Sequence, residues 1–153
     1  MMAYAGGRVN EFFKAPNWKA QKTMLVVAAA LIGPNHTILI QKRPAGKALA
    51  GKWEFPGGKV DAGESCQAAL VRELAEELGI AVHESDVEAF TFVTEARPGE
   101  DLVLLLFLCR TWSGEPVARE ASALAWVPVT DLLSHDLAPL DIPLAQRLID
   151  LLA

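Results

Sequence analysis

GKVDAGESCQAALVRELAEELGI, residues 58–80, joins a glycine-rich turn to a segment with helical periodicity. The periodic segment begins at about Ser65, and Gly79 directly follows its last residue. The pattern therefore predicts a helix over residues 65–78 that ends at Gly79. Leucines recur at four-residue intervals along one side of this helix, which predicts that this side packs against the core.

Three glutamates share another face of the predicted helix. A helix advances about 100° per residue, so Glu73, Glu76 and Glu77 fall within roughly 100° of one another. Carboxylates this close repel each other, and a hard divalent cation such as Mg²⁺, which takes oxygen ligands, would remove that repulsion. A solvated acidic face is the alternative interpretation. The preceding Pro56-Gly57-Gly58 lets the backbone approach a ligand closely, which favours the metal site.

The segment also resembles a known family signature. Residues 58–80 match every fixed position of the Nudix box, Gly-x5-Glu-x7-Arg-Glu-Leu-x-Glu-Glu-x-Gly-Ile. Similarity to the MutT-like branch continues outside the box, at residues 41–44, 53–59, 112–116 and 137–144. From about Leu25 to its C-terminus, the chain is identified as a member of the Nudix hydrolase superfamily, MutT-like branch.

The resemblance implies a metal site with Mg²⁺ as the cofactor and Mn²⁺ as a substitute. The implied ligands are the Gly57 carbonyl and the carboxylates of Glu73, Glu76, Glu77 and Glu120. The implied catalytic residues are Glu73, Arg72 and Glu120, with Arg72 orienting Glu73 through a charge-assisted hydrogen bond. Either Glu73 or Glu120 would accept the proton of the attacking water, and the sequence leaves this choice open.

Substrate binding is implied for four more residues: Arg43, Phe55, Lys59 and Asp141. Arg43 and Lys59 would contact the phosphates, and Phe55 would form a stacking wall. Asp141 occupies the place of the base-reading residue, where the best-known 8-oxoguanine reader of this branch has Asn. A carboxylate accepts hydrogen bonds either from N7–H of 8-oxoguanine or from the exocyclic amine of cytosine. As a structural alternative, Asp141 would cap the last helix.

The implied activity is that of an enzyme, a Mg²⁺-dependent nucleoside triphosphate pyrophosphohydrolase. It would convert a (d)NTP such as 8-oxo-dGTP into the monophosphate and pyrophosphate, and so sanitise the nucleotide pool and protect DNA. A CTP or 5-methyl-dCTP pyrophosphohydrolase is the alternative within the enzyme class. A non-catalytic Nudix nucleotide-sensing module is the alternative outside it, but such modules tend to lose box carboxylates, and all are present here.

The remainder of the chain predicts one domain. With 153 residues, it has the length of a single α+β domain, and the resemblance implies the Nudix fold, a mixed β-sheet sandwiched between helices (α/β/α). Residues 1–22 are interpreted as an N-terminal extension and residues 23–153 as the Nudix hydrolase domain. Apolar runs predict strands at 24–32, 37–42, 53–55, 87–95, 102–111 and 123–127 and a helix at 143–151. The first two strands are predicted to form one hairpin, and the strands at 87–95 and 102–111 another.

Composition limits the partners. The formal net charge is −5, which argues against binding to a nucleic-acid duplex. Cys66 and Cys109 belong to no CxxC pair or Cys/His cluster, as in a reduced, cytoplasmic protein. The longest apolar run is too short to span a bilayer, so no membrane partner is expected. A monomer is expected rather than a dimer.

Overall fold

The computed structural model describes residues 22–153, so the predicted extension lies outside the described residues except for Lys22. Within this range the strands are β1 (Lys22–Gly33), β2 (Thr37–Lys42), β3 (Trp53–Glu54), β4 (Gly57–Lys59), β5 (Val87–Glu95), β6 (Glu100–Cys109) and β7 (Ala123–Pro128). The α-helices are α1 (Cys66–Leu78) and α2 (Asp141–Leu152), and short 3₁₀ turns lie at Pro34–His36, Glu84–Asp86 and Val129–Ser134. Over residues 22–153, no helix has both the length and the apolar character needed to cross a membrane.

β1 lies at the centre of a mixed sheet. It runs parallel to β6 along nearly its whole length, and β4 pairs antiparallel with its other edge. The hairpin of β5 and β6 is confirmed, while β2 pairs antiparallel with β3 and β7. The predicted hairpin of β1 and β2 is wrong for most of its length, since the two strands pair only at Ile32↔Ile38 and Gly33↔Thr37. β1 is apolar and covered on both faces. Strands of this kind typically pair in parallel, as β1 does with β6.

Two cores lie on opposite faces of the sheet because successive side chains of a strand point to opposite sides. Val27, Ala29 and Leu31 of β1 face the core that contains α1. Ala28, Ala30 and Ile32 face the core that contains α2. The helices enter these cores through fully buried leucines: Leu70, Leu74 and Leu78 from α1, and Leu144 and Leu148 from α2. The α+β class, with the sheet between two helices, is therefore confirmed.

Two local features differ from the prediction. The short strand β3 ends before Pro56-Gly57-Gly58, but Gly57–Lys59 then forms β4, a strand that the sequence did not predict. Glycine allows this close pairing, because a Cβ on Gly57 would lie 2.0 Å from the carbonyl oxygen of Val27. Helix α2 begins at Asp141 rather than at Pro143. Proline is tolerated in the first turn because amide hydrogens there have no acceptor within the helix.

Candidate active site

Helix α1 has the two ends that its sequence predicts. The side chain of Ser65 accepts a hydrogen bond from the amide of Ala68, which satisfies one of the free donors of the first turn. Gly79 ends the helix in the left-handed conformation with φ of 69°, and its amide donates to the carbonyl of Ala75. The two caps define the ends of α1. The acidic face lies in its last two turns, next to the Gly79 cap.

The glycine-rich segment before α1 packs directly on one of the acidic side chains. A Cβ built on Gly58 would lie 2.3 to 2.5 Å from the carboxylate atoms of Glu73. Any larger residue would therefore occupy the place of that carboxylate. The amide of Gly57 donates to Oε2 of Glu77 at 3.1 Å. Both glycines thus place backbone against the carboxylates of α1.

Arg72 connects most of the acidic groups of the box. Its Nη1 donates to Glu73 at 2.9 Å and to Glu76 at 3.3 Å, and its Nε donates to Glu64 at 2.8 Å. Glu64 also accepts from the amide of Asp61, so it closes the loop before the helix. The hydrogen bonds from Arg72 lower the pKa of Glu64 to about 2. The predicted contact between Arg72 and Glu73 is thus present in the structure.

Burial changes the ionisation of the two inner glutamates. Desolvation raises the pKa of Glu77 to about 7, although hydrogen bonds from Gly57 and Gln41 oppose the rise. Desolvation also raises the pKa of Glu73, with Arg72 opposing it. Negative charge on Glu120 adds to both rises, so its carboxylate lies within electrostatic reach of both groups. A nearby cation would favour the ionised forms.

The loop that carries Glu120 is fastened to the C-terminal turn of α1. The amide of Arg119 donates to the carbonyl of Glu77 at 3.1 Å, and the amide of Val117 donates to Leu78 at 3.0 Å. The Arg119 side chain also donates to the carbonyl of Ala75 at 3.2 Å. A cation at a helix C-terminus is stabilised by the helix dipole. No pattern in the sequence marks Arg119, because only the fold brings residues 117–120 to this helix.

The carboxylates fit a divalent cation chemically, but they do not form a ready ligand group. Over residues 22–153, no three Asp, Glu, His or Cys side chains converge as a preformed metal site. Glu76 accepts a hydrogen bond from Arg72, and Glu77 accepts one from Gln41 through one of its two oxygens. Like charges without a cation between them repel each other. The donors are all oxygen atoms, which are the ligands that Mg²⁺ prefers.

A cavity of about 800 Å³ extends from this acidic group to the start of α2. It brings together seven of the sequence-predicted site residues: Arg43, Phe55, Gly57, Lys59, Glu77, Glu120 and Asp141. Its wall also includes Gln41 and Glu54, which the sequence analysis did not single out. Glu73 contacts the rim through Gly58, and Glu76 lies at the exposed side.

Two of the predicted substrate-binding residues, Asp141 and Arg43, are already hydrogen-bonded within the protein. Oδ1 of Asp141 accepts from the amide of Phe55 at 3.1 Å, and burial raises the pKa of Asp141 to about 7. Asp141 is therefore no helix cap: the N-cap residue is Leu140, which makes no side-chain cap bond. Nη1 of Arg43 donates to Glu54 at 2.7 Å. This ion pair offsets the positive charge that Arg43 would offer to a phosphate.

The raised pKa values of Asp141 and Glu77 predict an unusual pH dependence of stability. Each folded-state pKa exceeds the unfolded value, so folding binds protons and their contribution is lost as pH rises through about 7. Between pH 5.5 and 8, the metal-free protein should lose on the order of 1–3 kcal/mol. Melting in EDTA should show Tm falling by several degrees. In Asp141→Asn the slope should be smaller; an equal slope would contradict the role of Asp141.

Known proteins share both this sequence and this architecture. The NUDIX domain family model matches residues 22–148. The chain is 38% identical to a CTP pyrophosphohydrolase of Escherichia coli over 85% of its length and 95% of that protein. It is 32% identical to the E. coli 8-oxo-dGTP diphosphatase, with 83% and 97% covered.

Solved structures agree with this result. The E. coli ORF135 protein superposes with a TM-score of 0.78 at 39% identity, covering 87% of this chain and 93% of that one. A MutT structure from work on Aliivibrio salmonicida and Vibrio cholerae gives a TM-score of 0.75 at 35% identity, covering 85% and 99%. With the intact box placed on α1 beside a large cavity, these matches show that the chain belongs to the Nudix hydrolase family, in its MutT-like branch.

Proposed function

We propose that this protein hydrolyses a nucleoside triphosphate to the monophosphate and pyrophosphate with Mg²⁺ as cofactor. The observation that carries the proposal is the cavity, whose wall includes the carboxylates Glu77 and Glu120 as well as Asp141 and Phe55. A metal and phosphates suit the two glutamates, and a base suits the buried Asp141 and Phe55. Relatives named 8-oxo-dGTP diphosphatase make an oxidised purine triphosphate the first candidate substrate.

The residues that would hold the cation are the Gly57 carbonyl and the carboxylates of Glu73, Glu76, Glu77 and Glu120. When bound, Mg²⁺ supplies charge neutralisation for the phosphates and acidifies water. Arg72 holds Glu73 in a fixed orientation at 2.9 Å. Glu76 must turn away from Arg72, an exposed pair that contributes little to stability, so this costs little.

The remaining polar residues around the proposed metal site would carry out proton transfer and phosphate binding. Glu73 or Glu120 accepts the proton of the attacking water, since both carboxylates lie beside the proposed metal ligand Glu77. Lys59 is exposed at the cavity wall and can reach a phosphate as a point charge. Arg43 is committed to Glu54, so it can contribute to phosphate binding only if the substrate competes for that pair.

A cytidine nucleotide is the second candidate substrate. An oxygen of the Asp141 carboxyl group that carries no proton accepts hydrogen bonds, so Asp141 suits the exocyclic amine of cytosine. The relative named CTP pyrophosphohydrolase, which is 38% identical, favours the same candidate. Phe55 lines the cavity beside Asp141 and offers a ring to either base.

We also propose that the protein acts as a cytoplasmic monomer, without a nucleic-acid duplex or a membrane as partner, and that residues 1–22 form an extension to the domain. The net charge of −5 supports the first exclusion. Cys66 and Cys109 are free thiols, as expected in a reducing compartment. Sedimentation analysis tests the monomer, and a variant truncated before Lys22 tests whether the extension affects turnover.

Purified protein with Mg²⁺ should release pyrophosphate and a monophosphate from at least one member of a panel containing 8-oxo-dGTP, dGTP, CTP, 5-methyl-dCTP and 2-hydroxy-dATP. Anion-exchange chromatography of the products measures this, and EDTA should abolish it. Comparison of kcat/KM across the panel identifies the preferred base. Release of orthophosphate alone, or no reaction with any of the five, would refute the proposed function.

A further inference from the structure

Gln41 is a buried amide on β2 whose role is not explained by folding. Only 5% of its surface is exposed. Its Nε2 donates to Oε2 of Glu77 at 3.2 Å and to Oε1 of Glu54 at 3.4 Å. Its Oε1 is buried and has no hydrogen-bond partner within residues 22–153. A buried polar atom without a partner destabilises the fold, so such a group calls for a specific reason.

The neighbouring positions show that an apolar side chain would suit this strand. Leu39 and Ile40 precede Gln41 on β2, and both are fully buried. An apolar residue of similar volume at position 41 would avoid the unpaired oxygen at little cost in packing. The Gln41 amide therefore lowers the stability of the fold. Its role must be sought in the groups to which it donates hydrogen bonds.

Those contacts place the amide between two carboxylates with different surroundings. Glu54 forms an ion pair with Arg43 at 2.7 Å. Glu77 has no such cation; in the described chain its recorded donors are the Gly57 amide and Gln41. Both donors reach the same atom, Oε2. Oε1 of Glu77 accepts neither of these hydrogen bonds and is available to a different partner.

We propose that Gln41 is a positioning residue that holds Glu77 in the orientation required to bind the divalent cation. The inference rests on the proposed function, because it concerns how a proposed ligand is held. Hydrogen bonds that orient metal ligands are functionally important, and their loss commonly reduces metal affinity or activity by about 10–100-fold. The unpaired Oε1 is then the structural consequence of directing both N–H groups at carboxylates.

The test replaces Gln41 with Met, which is similar in length and flexibility but donates no hydrogen bond. Mn²⁺ binding is measured on the full chain by the loss of the free-ion electron paramagnetic resonance signal. The Mn²⁺ dissociation constant should rise by about 10–100-fold in Gln41→Met. Turnover at limiting Mg²⁺ should fall and should recover substantially at saturating Mg²⁺. Tm in EDTA should stay within a few degrees of wild type.

Gln146→Leu is the matched control, since Gln146 is an exposed amide on α2 that bonds only Asp150 among its recorded partners. It should leave Mn²⁺ affinity unchanged. If Gln41→Met does not fold, Gln41→Leu provides the same measurement with a different shape. Unchanged Mn²⁺ affinity in a folded Gln41 variant would overturn the inference, as would a large loss of Tm with no metal-dependent defect. Failure of the wild type to bind Mn²⁺ would refute the proposed metal site itself.

Discussion

Glu73→Gln and Glu77→Gln are each expected to reduce kcat for pyrophosphate release by roughly 10²–10³-fold or more, because each removes a charge that holds the cation and stabilises the transition state. An amide is a weaker ligand than a carboxylate for a hard cation. The measurement is steady-state turnover at saturating Mg²⁺ with the preferred triphosphate. Turnover near that of wild type would exclude the substituted residue from the metal site.

Stability separates this chemical role from a structural one. Burial raises the pKa of both glutamates, so a neutral amide suits the metal-free fold at least as well as a carboxylate. Tm in EDTA should therefore hold or rise in both variants. Glu88→Gln is the matched control, since Glu88 is an exposed carboxylate on β5 that pairs with Arg110 at 3.4 Å. A clear drop in Tm for Glu77→Gln would instead identify a structural residue.

Asp141→Asn is expected to change base preference while leaving metal dependence unchanged. Asn can keep the bond from the Phe55 amide through its oxygen, and it replaces the second carboxylate oxygen with a donor. A site that pairs with a donor discriminates strongly against a base lacking it. The ratio of kcat/KM between 8-oxo-dGTP and CTP should shift by roughly tenfold or more, about 1.4 kcal/mol.

The pattern across substrates decides what Asp141 does. Equal losses for every nucleotide would show that Asp141 only supports Phe55, and the specificity assignment would be wrong. A collapse confined to cytidine nucleotides would favour the cytidine alternative over 8-oxo-dGTP. Unaltered Mg²⁺ dependence in Asp141→Asn serves as the internal control, because Asp141 is not among the proposed metal ligands.

The sequence predicts correctly those features of the fold that are set by residues close together in the chain. The start of α1 near Ser65 and its end at Gly79 follow from helical periodicity and backbone preference, and both were correct. The pairing of β1 was predicted only in part, since β2 pairs with its last residues and β6 with most of its length. An apolar run indicates burial but does not specify which strand lies beside it. A turn signal at Gly33 favoured the adjacent strand, whereas the parallel partner β6 is distant in sequence.

The same distinction holds for the candidate site. The acidic face of α1 was visible from spacing, and the Arg72 contact followed from the family pattern. Gln41, Glu54 and Arg119 were missed, because their relevance arises only when β2, β3 and a distant loop meet α1. Their sequence surroundings contain no periodic or spacing signal that would single them out.

The alternation along β1 places the supports of the two helices on opposite faces of one strand. Val27 and Ala29 pack with α1, which carries the acidic group, whereas Ala28 and Ala30 pack with α2, which begins at Asp141. Substitutions around the proposed base-binding residue Asp141 can therefore accumulate on one face of this strand without repacking the other. A scaffold arranged in this way can acquire new nucleotide preferences while its hydrolytic apparatus stays in place.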